Sequence, residues 1–497
     1  MTIALLSAWD KTGIVDLAKA LAAKNIGILS SGGTAKVLRD AGIPVKDISE
    51  YTGFPEMMDG RIKTLHPKVH GGLLGRRGID DAVMKEYGIE GIDILCVNLY
   101  PFEEMSKKNL PLNELIEFVD IGGPAMIRAA AKNFENVAVI VDPDDYEMVA
   151  EAAGGNGFTY EQKITLAAKA FARTAAYDAV ISNYLNSIGS DFPTICTLQF
   201  ASGRRLRYGE NPHQKAAVYG TSGIAGQIAL QGKEMSYNNY LDIHAAVSLC
   251  RELPAPATVI VKHNNPCGVA LGRTQLESYL KAKDVDPVSA YGSVIAMNSP
   301  VGKDVAKEIC STFVEVLIAP CFMDEAREII RKKENMRLLL LPPEVPADEL
   351  RTIDGGVLVQ RMQIHEERWE VVSKRAPTTE EVTALKLAWK VVKHAKSNAI
   401  IYANATETVG LGVGQMSRVD AAKIAVMKAA EFGRTMKGTV IASDAFLPFA
   451  DTLEVAVAAG ATALIQPGGS IRDAEVIAKA DELGAAVVFT GTRYFRH

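Results

Sequence analysis

Several short stretches of this chain combine residue types that can do chemistry. "VIVKHNNPCGVA", residues 259–270, ends a β-branched run with Lys262 and His263, followed at once by two Asn, a Pro, a Cys and a Gly. An ammonium next door disfavours a second positive charge, so the imidazole is expected neutral and able to take a proton as a general base. The plain alternative is a histidine that only hydrogen-bonds at a strand end. "MDGRIKTLHPKVHGG", 58–72, gathers Arg61, Lys63, His66, Lys68 and His70 in a Gly/Pro-flanked loop, where mutual repulsion calls for an anion or for water. "DIGGPAMIRAAAKN", 120–133, sets Asp120 before a helix opened by Gly-Gly-Pro and puts Arg128 and Lys132 one turn apart. A carboxylate and cations brought together can move protons and stabilise charge, or merely form a surface ion pair. "ILSSGGTAKVL" places Ser30, Ser31, Gly32, Gly33 and Thr34 between a strand and a helix, whose first N–H groups can receive a phosphate. A simple strand-to-helix turn is the competing reading, and no Walker A pattern is present.

Other chemistries are argued against. His66 and His70 are four apart, but Pro67 is expected to spoil a helix aiming both at a metal, and no acidic ligand adjoins them. No metal site is expected. A zinc deaminase needs H-x-E with P-C-x-x-C. "PCGVA" lacks the second Cys, and the H-x-E at His365–Glu367 lies far downstream. "GLGVGQ", 410–415, has Gln415 where a dinucleotide-binding loop needs its third Gly, so a tight strand pair is expected instead.

The elements that must position these residues alternate. "IALLS", "IGILSS", "IDILCVNLY" and "NVAVIVDP" are apolar strands separated by helical patterns such as "TGIVDLAKALAAK" and "GTAKVLRDAG". That order implies a largely parallel sheet covered on both faces. A long helix, 160–187, leads to a boundary near 188–200. Beyond it "ATVIVKH", "GSVIAMN", "EVLIAP", "RLLLLP", "NAIIYA", "GTVIAS", "ATALIQP" and "AAVVFTG" supply strands, with a Pro-, Glu- and Arg-rich joint at 341–380 between two α/β lobes. Composition is that of a globular protein: 48% hydrophobic, 23% charged, net charge −5. This argues against a general nucleic-acid or anionic-membrane binder. Scattered cysteines without C-x-x-C, no signal-like start and no bilayer-length apolar run point to a reduced, cytoplasmic setting.

Taken together, "SAWDKTG", "SSGGTAKVLRDAG", "TGFPEMMDGRIKTLHPKVHGG", "NLYPF" and "DIGGPAMIRAAAKN" closely resemble the cyclohydrolase part of the bifunctional AICAR transformylase/IMP cyclohydrolase family. The resemblance implies a methylglyoxal-synthase-like domain over 1–190. It also implies a phosphate site of Ser7, Lys11, Ser31, Gly33 and Thr34, with Arg61 and Thr64 nearby. Ring closure would fall to Lys63, Tyr100, Asp120 and Lys132. A carboxamide nitrogen attacks a formyl carbon and the adduct loses water, so lysines suit the oxyanion while Tyr100 and Asp120 suit the protons. Which group is acid and which base stays open.

The "KHNNPCG" stretch resembles the Lys-His-x-Asn-Pro-Cys-Gly motif of the family's transformylase domain, implied over 200–497 as two cytidine-deaminase-like lobes. There a formyl group passes from 10-formyltetrahydrofolate to the weakly nucleophilic amine of AICAR. His263 would take the amine proton, and Lys262 would stabilise the oxyanion or help protonate folate N10. The resemblance assigns to AICAR binding Arg207 and Tyr208 ("RYGENPHQ"), Asn238 and Asn239 ("SYNNYLD"), Gly292, Glu315, Asn398, Arg418, Phe446 and Arg493. It assigns to the folate Val419, Asp451, Ser470 and Ile471. Glu315 stands where the family pattern has Asp, and His244 where it has a smaller or acidic residue.

The reading is thus a purine-biosynthesis enzyme that converts AICAR to FAICAR and FAICAR to IMP. A homodimer with transformylase sites built from both subunits belongs to the same implication. So does a structural potassium ion, whose carbonyl ligands leave no sequence trace, and the absence of a catalytic metal. The rival from another class is a ribonucleotide-binding scaffold without turnover, which the retained Lys63, Tyr100, Asp120, Lys132, Lys262 and His263 argue against.

Overall fold

The structure, a computed structural model, describes residues 2–58, 60–155, 157–189, 192–345, 348–361 and 367–497. The chain divides into two compact units, Met1–Gln199 and Phe200–His497. In the first unit β1 (Ile3–Ala8), β2 (Gly27–Ser30), β3 (Lys46–Asp47), β4 (Ile94–Asn98) and β5 (Ala138–Ile140) form one sheet in the order β3-β2-β1-β4-β5. Every pairing in it is parallel. Side chains of a strand alternate between faces, so Leu5 enters one core and Ala4 and Leu6 the other. Both faces therefore need helices. The Ile14–Ala22 helix answers with Ile14, Leu17, Ala18 and Leu21 on one buried stripe. On the other face, helices Gly122–Lys132 and Tyr160–Ser187 pack against β4 and β5. A Thr159/Gln162 capping box starts the long helix.

The second unit begins with an antiparallel pair, β6 (Arg204–Leu206) and β7 (Ala216–Val218). Its first lobe holds β8 (Ala257–Lys262), β9 (Asn265–Leu271), β10 (Ser293–Met297), β11 (Val314–Ala319) and β12 (Arg337–Leu340), in the order β12-β11-β10-β8-β9. A hairpin, β13 (Glu349–Ile353) with β14 (Gly356–Gln360), occupies part of the expected joint. The second lobe holds β15 (Glu370–Val371), β16 (Ile400–Ala403), β17 (Thr408–Gly412), β18 (Val440–Ser443), β19 (Ala463–Gln466) and β20 (Ala486–Phe489). Its order is β15-β20-β19-β18-β16-β17.

Apart from β15 the two lobes share one plan. A helix with a capped start, Tyr237–Glu252 or Thr379–Lys393, precedes an antiparallel hairpin, and three mutually parallel strands follow. These two helices and the inner sheet faces make a shared core through Leu249, Leu385, Val259 and Ile401. Alternation of strand and helix in the sequence conveys the parallel strands but hides β9. "NPCGVAL" carries Pro and Gly, which belong at sheet edges, and β9 is an edge strand of its sheet. "GLGVGQ" does overlap a strand pair, since β17 runs antiparallel to β16.

Candidate active sites

In the first unit the strands lead candidate residues to one edge. β1 lies between β2 and β4, so the segments after all three leave the sheet's carboxyl end side by side, where α/β sheets open a crevice. Ser7 lies on β1 itself, and the loop after it contains Trp9 and Lys11. That loop is pinned by buried Asn98, whose Oδ1 accepts the Asp10 N–H at 2.9 Å and whose Nδ2 donates to Asp10 O at 2.9 Å. After β2, Ser31 caps the Gly32–Asp40 helix with extended backbone, and its buried hydroxyl has no partner among the described residues. The first N–H groups of that helix start at Gly32, where φ is +51°. Gly33 has open space where a side chain would stand. Thr34 differs from the expectation of a free phosphate donor. Its hydroxyl accepts the Ala8 N–H at 3.1 Å and donates to Ala8 O at 2.9 Å, tying helix to strand.

Lys63 reaches this place from the 60–66 segment, its Nζ 3.5 Å from where a Cβ on Gly32 would sit. Burial lowers the Lys11 pKa below the ordinary lysine value; Asp10 opposes this and Lys63 adds to it. Asp120 is partly buried. Its Oδ1 accepts the Gly123 N–H at 2.8 Å, and Tyr177 OH donates nothing to it but accepts the Asp120 N–H at 2.8 Å. Burial raises the Asp120 carboxyl above the usual range, against the Gly123 N–H, the Lys63 ammonium and the Tyr100 N–H. The Tyr100 ring meets Trp9 at 5.0 Å. Thr64, buried, lies against Gly122, with its Oγ1 2.5 Å from a Cβ built there. Lys11, Gly32, Lys63, Tyr100 and Asp120 thus share one neighbourhood. Arg61 is exposed and paired with Glu117.

Lys132 is not brought to this cluster. It ends the Gly122–Lys132 helix, about 15 Å along the axis from Gly122. There it lines a groove of about 760 Å³ with His70 and Arg128, whose guanidinium stacks on Phe171 at 5.6 Å. Pro67 sets where the neighbouring helix begins. It opens a helix, Pro67–Leu74, because the first helical position needs no N–H, and His66 stays outside it, so that helix does not carry both histidines. His66 is its N-cap, with Nδ1 accepting the Lys68 N–H at 3.1 Å. His365 lies outside the described residues.

In the second unit, "VIVKHNNPCGVA" is a β-hairpin rather than a strand running into a loop. Lys262 on β8 pairs with Asn265 on β9, leaving His263 and Asn264 as a two-residue turn with φ of +51° and +66°. Positive φ at both central positions is the turn geometry that follows the twist of a hairpin, and Asn adopts it readily. The turn leaves His263 exposed. Lys262 Nζ donates to Tyr291 O at 2.7 Å. Beneath the turn lies a cavity of about 270 Å³ lined by Lys262, His263 and Cys267 from one lobe and Gly410 and Lys428 from the other.

Because β8 is antiparallel to β10, the turn shares an edge with the amino ends of β10, β11 and β12. Gly292 stands before β10 with φ +72°, Glu315 on β11 and Arg337 at the start of β12. Asn239 Nδ2 donates to Glu315 Oε2 at 2.8 Å, which takes up the longer reach of Glu in place of Asp. Buried Arg337 donates to Glu234 O, and Arg207 and Tyr208 stack beside it with Nη2 to OH at 2.7 Å. Exposed Asn238 donates to Glu210 O, and His244 is exposed on the same helix. Asp242, absent from the sequence expectations, accepts the Asn264 N–H at 2.6 Å. Burial raises its carboxyl above the usual range, against the Asn264 N–H, the His263 imidazole and the His263 N–H; Glu315 reinforces the rise.

The second lobe offers the opposite edge. Asn398 precedes β16; Arg418 and Val419 open the helix after β17; Phe446 follows β18; Ser470 and Ile471 follow β19; Arg493 follows β20. Antiparallel and parallel registers put all of these at one end of the sheet. Arg418 pairs with fully buried Asp444 at 3.3 Å, and Asp444 Oδ2 and Arg418 Nε have no partner among the described residues. Phe495 lies under Arg493 at 4.4 Å and near Arg418 at 5.7 Å. Asp451 is exposed at the start of its helix, and Ile471 is wholly exposed. A hydrogen bond joins the edges: Asn265 Oδ1 accepts the Lys396 N–H at 3.0 Å, two residues from Asn398. Asp242, Asp444, Trp9 and Phe495 were not singled out within the motifs that the sequence displays; their surroundings come from which turn, ring or cation they face.

Comparison with known proteins places the chain in a family. An MGS-like domain model matches residues 13–125, and a model described as AICARFT/IMPCHase bienzyme matches residues 130–428. The bifunctional purine biosynthesis protein PurH of Roseobacter denitrificans is 51% identical over 519 residues, covering 99% of this chain and 98% of that protein. A solved structure described as "Crystal structure of ForH" is 38% identical and covers 38% of this chain and 100% of its own, with a TM-score of 0.35. This chain belongs to the AICARFT/IMPCHase bienzyme family, an enzyme that formylates AICAR with a folate-type co-substrate and cyclises the FAICAR product to IMP with loss of water.

Proposed function

We propose that the first unit closes the ring and the second transfers the formyl group, with His263 as the base of the transfer. The reading is supported above all by the hairpin turn. It holds an exposed imidazole beside Lys262, at a cavity walled by both lobes, with Arg207, Tyr208, Asn239 and Gly292 on the same edge. The co-substrate is 10-formyltetrahydrofolate. The AICAR amine attacks its formyl carbon while His263 takes the amine proton, the bond to N10 breaks, and N10 receives a proton with help from Lys262. The unpartnered Asp444 and Arg418 atoms suit a ligand that completes their hydrogen bonds.

In the first unit the phosphate sits on Ser7, Lys11, Ser31 and the N–H groups at Gly33. Lys63 meets the oxyanion, and Asp120 and Tyr100 handle protons as water leaves. Lys132 enters this scheme only by family resemblance, since its own helix carries it away from Asp120. Wholly exposed Ile471 and Phe446, 38% exposed, suit cover by the folate and by AICAR, and a homodimer with shared transformylase sites is part of the proposal. Among the described residues no helix is long and apolar enough to cross a membrane, and a cytoplasmic location is part of the proposal. A structural potassium ion would rest on backbone carbonyls, and no step here runs through it.

The test follows tetrahydrofolate and IMP separately after mixing the protein with AICAR and 10-formyltetrahydrofolate. Lys262→Ala should stop tetrahydrofolate release yet still cyclise supplied FAICAR; Lys63→Ala should let FAICAR accumulate without IMP. Loss of both activities in either variant would refute the division between units, and no product from the native chain would favour a binding scaffold.

A further inference from the structure

We infer that Asp242 is a positioning residue for formyl transfer, clamping the turn that presents His263. The inference rests on His263 being the base. Two consecutive non-glycine residues with positive φ are costly to hold. Asn264 tolerates this conformation better than His263 does. Something must therefore hold the imidazole end of the turn in place. Asp242 reaches over from the Tyr237–Glu252 helix, and its Oδ1 accepts the Asn264 N–H at 2.6 Å. The same carboxylate interacts with the His263 N–H and lies within electrostatic reach of its ring. A carboxylate so placed fixes the turn and faces the charge that the imidazole acquires when it takes a proton.

The molecule contains its own comparison. Asp242 lies six residues after the Ser236 cap, and six after the equivalent Thr378 cap lies Ala384, buried and apolar. The second lobe's hairpin, from Ala403 to Thr408, has no residue with positive φ. Where the fold repeats without a base in its turn, both the left-handed turn and its carboxylate clamp are missing. Packing of the shared plan thus does not require either.

The experiment measures steady-state formyl transfer and FAICAR cyclisation on the full chain. Asp242→Ala should lower the transfer kcat about 100-fold. KM for AICAR should move less than about threefold, and cyclisation should be unchanged. Adding Asn264→Gly, which accepts positive φ without a clamp, should restore about tenfold. Asp242→Asn, which keeps an oxygen for the Asn264 N–H, should retain more kcat than Asp242→Ala and covers the case in which the alanine variant fails to fold. His263→Asn is measured alongside. If it abolishes transfer while Asp242→Ala and Asp242→Asn both stay near the native rate, the positioning role is wrong. Failure of Asn264→Gly to restore any kcat also overturns it. If His263→Asn keeps native transfer, the base assignment itself falls.

Discussion

The two candidate sites sit at opposite ends of their strands. In the first unit, Lys11, Gly32 and Tyr100 follow β1, β2 and β4 at the carboxyl edge of an all-parallel sheet. In the first lobe of the second unit, Gly292, Glu315 and Arg337 stand at the amino edge of β10, β11 and β12. His263 arrives there because β8 runs against them and turns back into β9. A parallel sheet collects loops at its carboxyl end and leaves helix N-termini free for a phosphate. An added hairpin lets the same kind of sheet use its other edge, with a side chain presented by a turn two residues long. Chemistry therefore follows wherever the chain reverses beside neighbouring strand ends, not one fixed edge.

The largest effects should separate the two edges completely. His263→Asn keeps a residue suited to positive φ but removes the base we propose, so formyl transfer should fall by about 10²–10⁴-fold with cyclisation intact. Asp120→Asn keeps an acceptor for the Gly123 N–H but removes the carboxylate, and should lower cyclisation by a similar factor with transfer intact. Coupled assays of both half-reactions on each variant check this, and crossed losses would break the comparison.

A steric probe is sharper for the first site. A Cβ on Gly123 would stand 2.4 Å from Asp120 Oδ2 and 2.8 Å from Leu99 Cδ2. Gly123→Ala must displace the carboxylate, and a misplacement of that size should cost cyclisation about 100-fold. The counterpart in the second unit is gentler. Asn265→Ala removes the acceptor of the Lys396 N–H that joins the hairpin to the Asn398 segment. One lost hydrogen bond of about 1 kcal/mol should lower transfer kcat/KM by about three- to tenfold. No change would mean that the two edges are not held in register through Asn265.

The contrast also explains what a reader of the sequence can see. Gly32 and Gly33 after an apolar run, and Gly-Gly-Pro after Asp120, are local signals, because loop and helix start are contiguous in sequence. "VIVKHNNPCG" marks chemistry equally well but misleads about structure, since Pro266 and Gly268 disguise β9. Pro67 was ambiguous for the same physical reason: the first turn of a helix admits proline, its interior does not. Asp242 was out of sight because its partner lies 22 residues along the chain and only the packed helix brings them together. Lys132 shows the reverse limit: helical spacing correctly gives its face alongside Arg128, but not its distance from Asp120.

The smallest effect concerns stability, and it runs in opposite directions in the two units. Burial would raise the Glu252 carboxyl, but hydrogen bonds from His394 and Lys393 outweigh it and hold the group at about 2, against an ordinary 4.5. Its native pKa is depressed, so its contribution is present above about 4.5 and lost as pH falls toward about 2. Glu252 is 31% exposed, which cuts the contribution to about 1–2 kcal/mol. Glu252→Gln should lower Tm at pH 7 by about 2–6 °C, and the gap should narrow by pH 3. Asp120 is shifted the other way, raised mainly by burial, so its contribution is present below the ordinary 3.8 and lost as pH rises through its native value. Asp120→Asn should therefore stabilise the chain at pH 7 and lose that advantage in acid. Calorimetry of both variants at the two pH values decides between a carboxylate kept ionised to hold helices together and one kept desolvated for chemistry, and parallel shifts would remove the distinction.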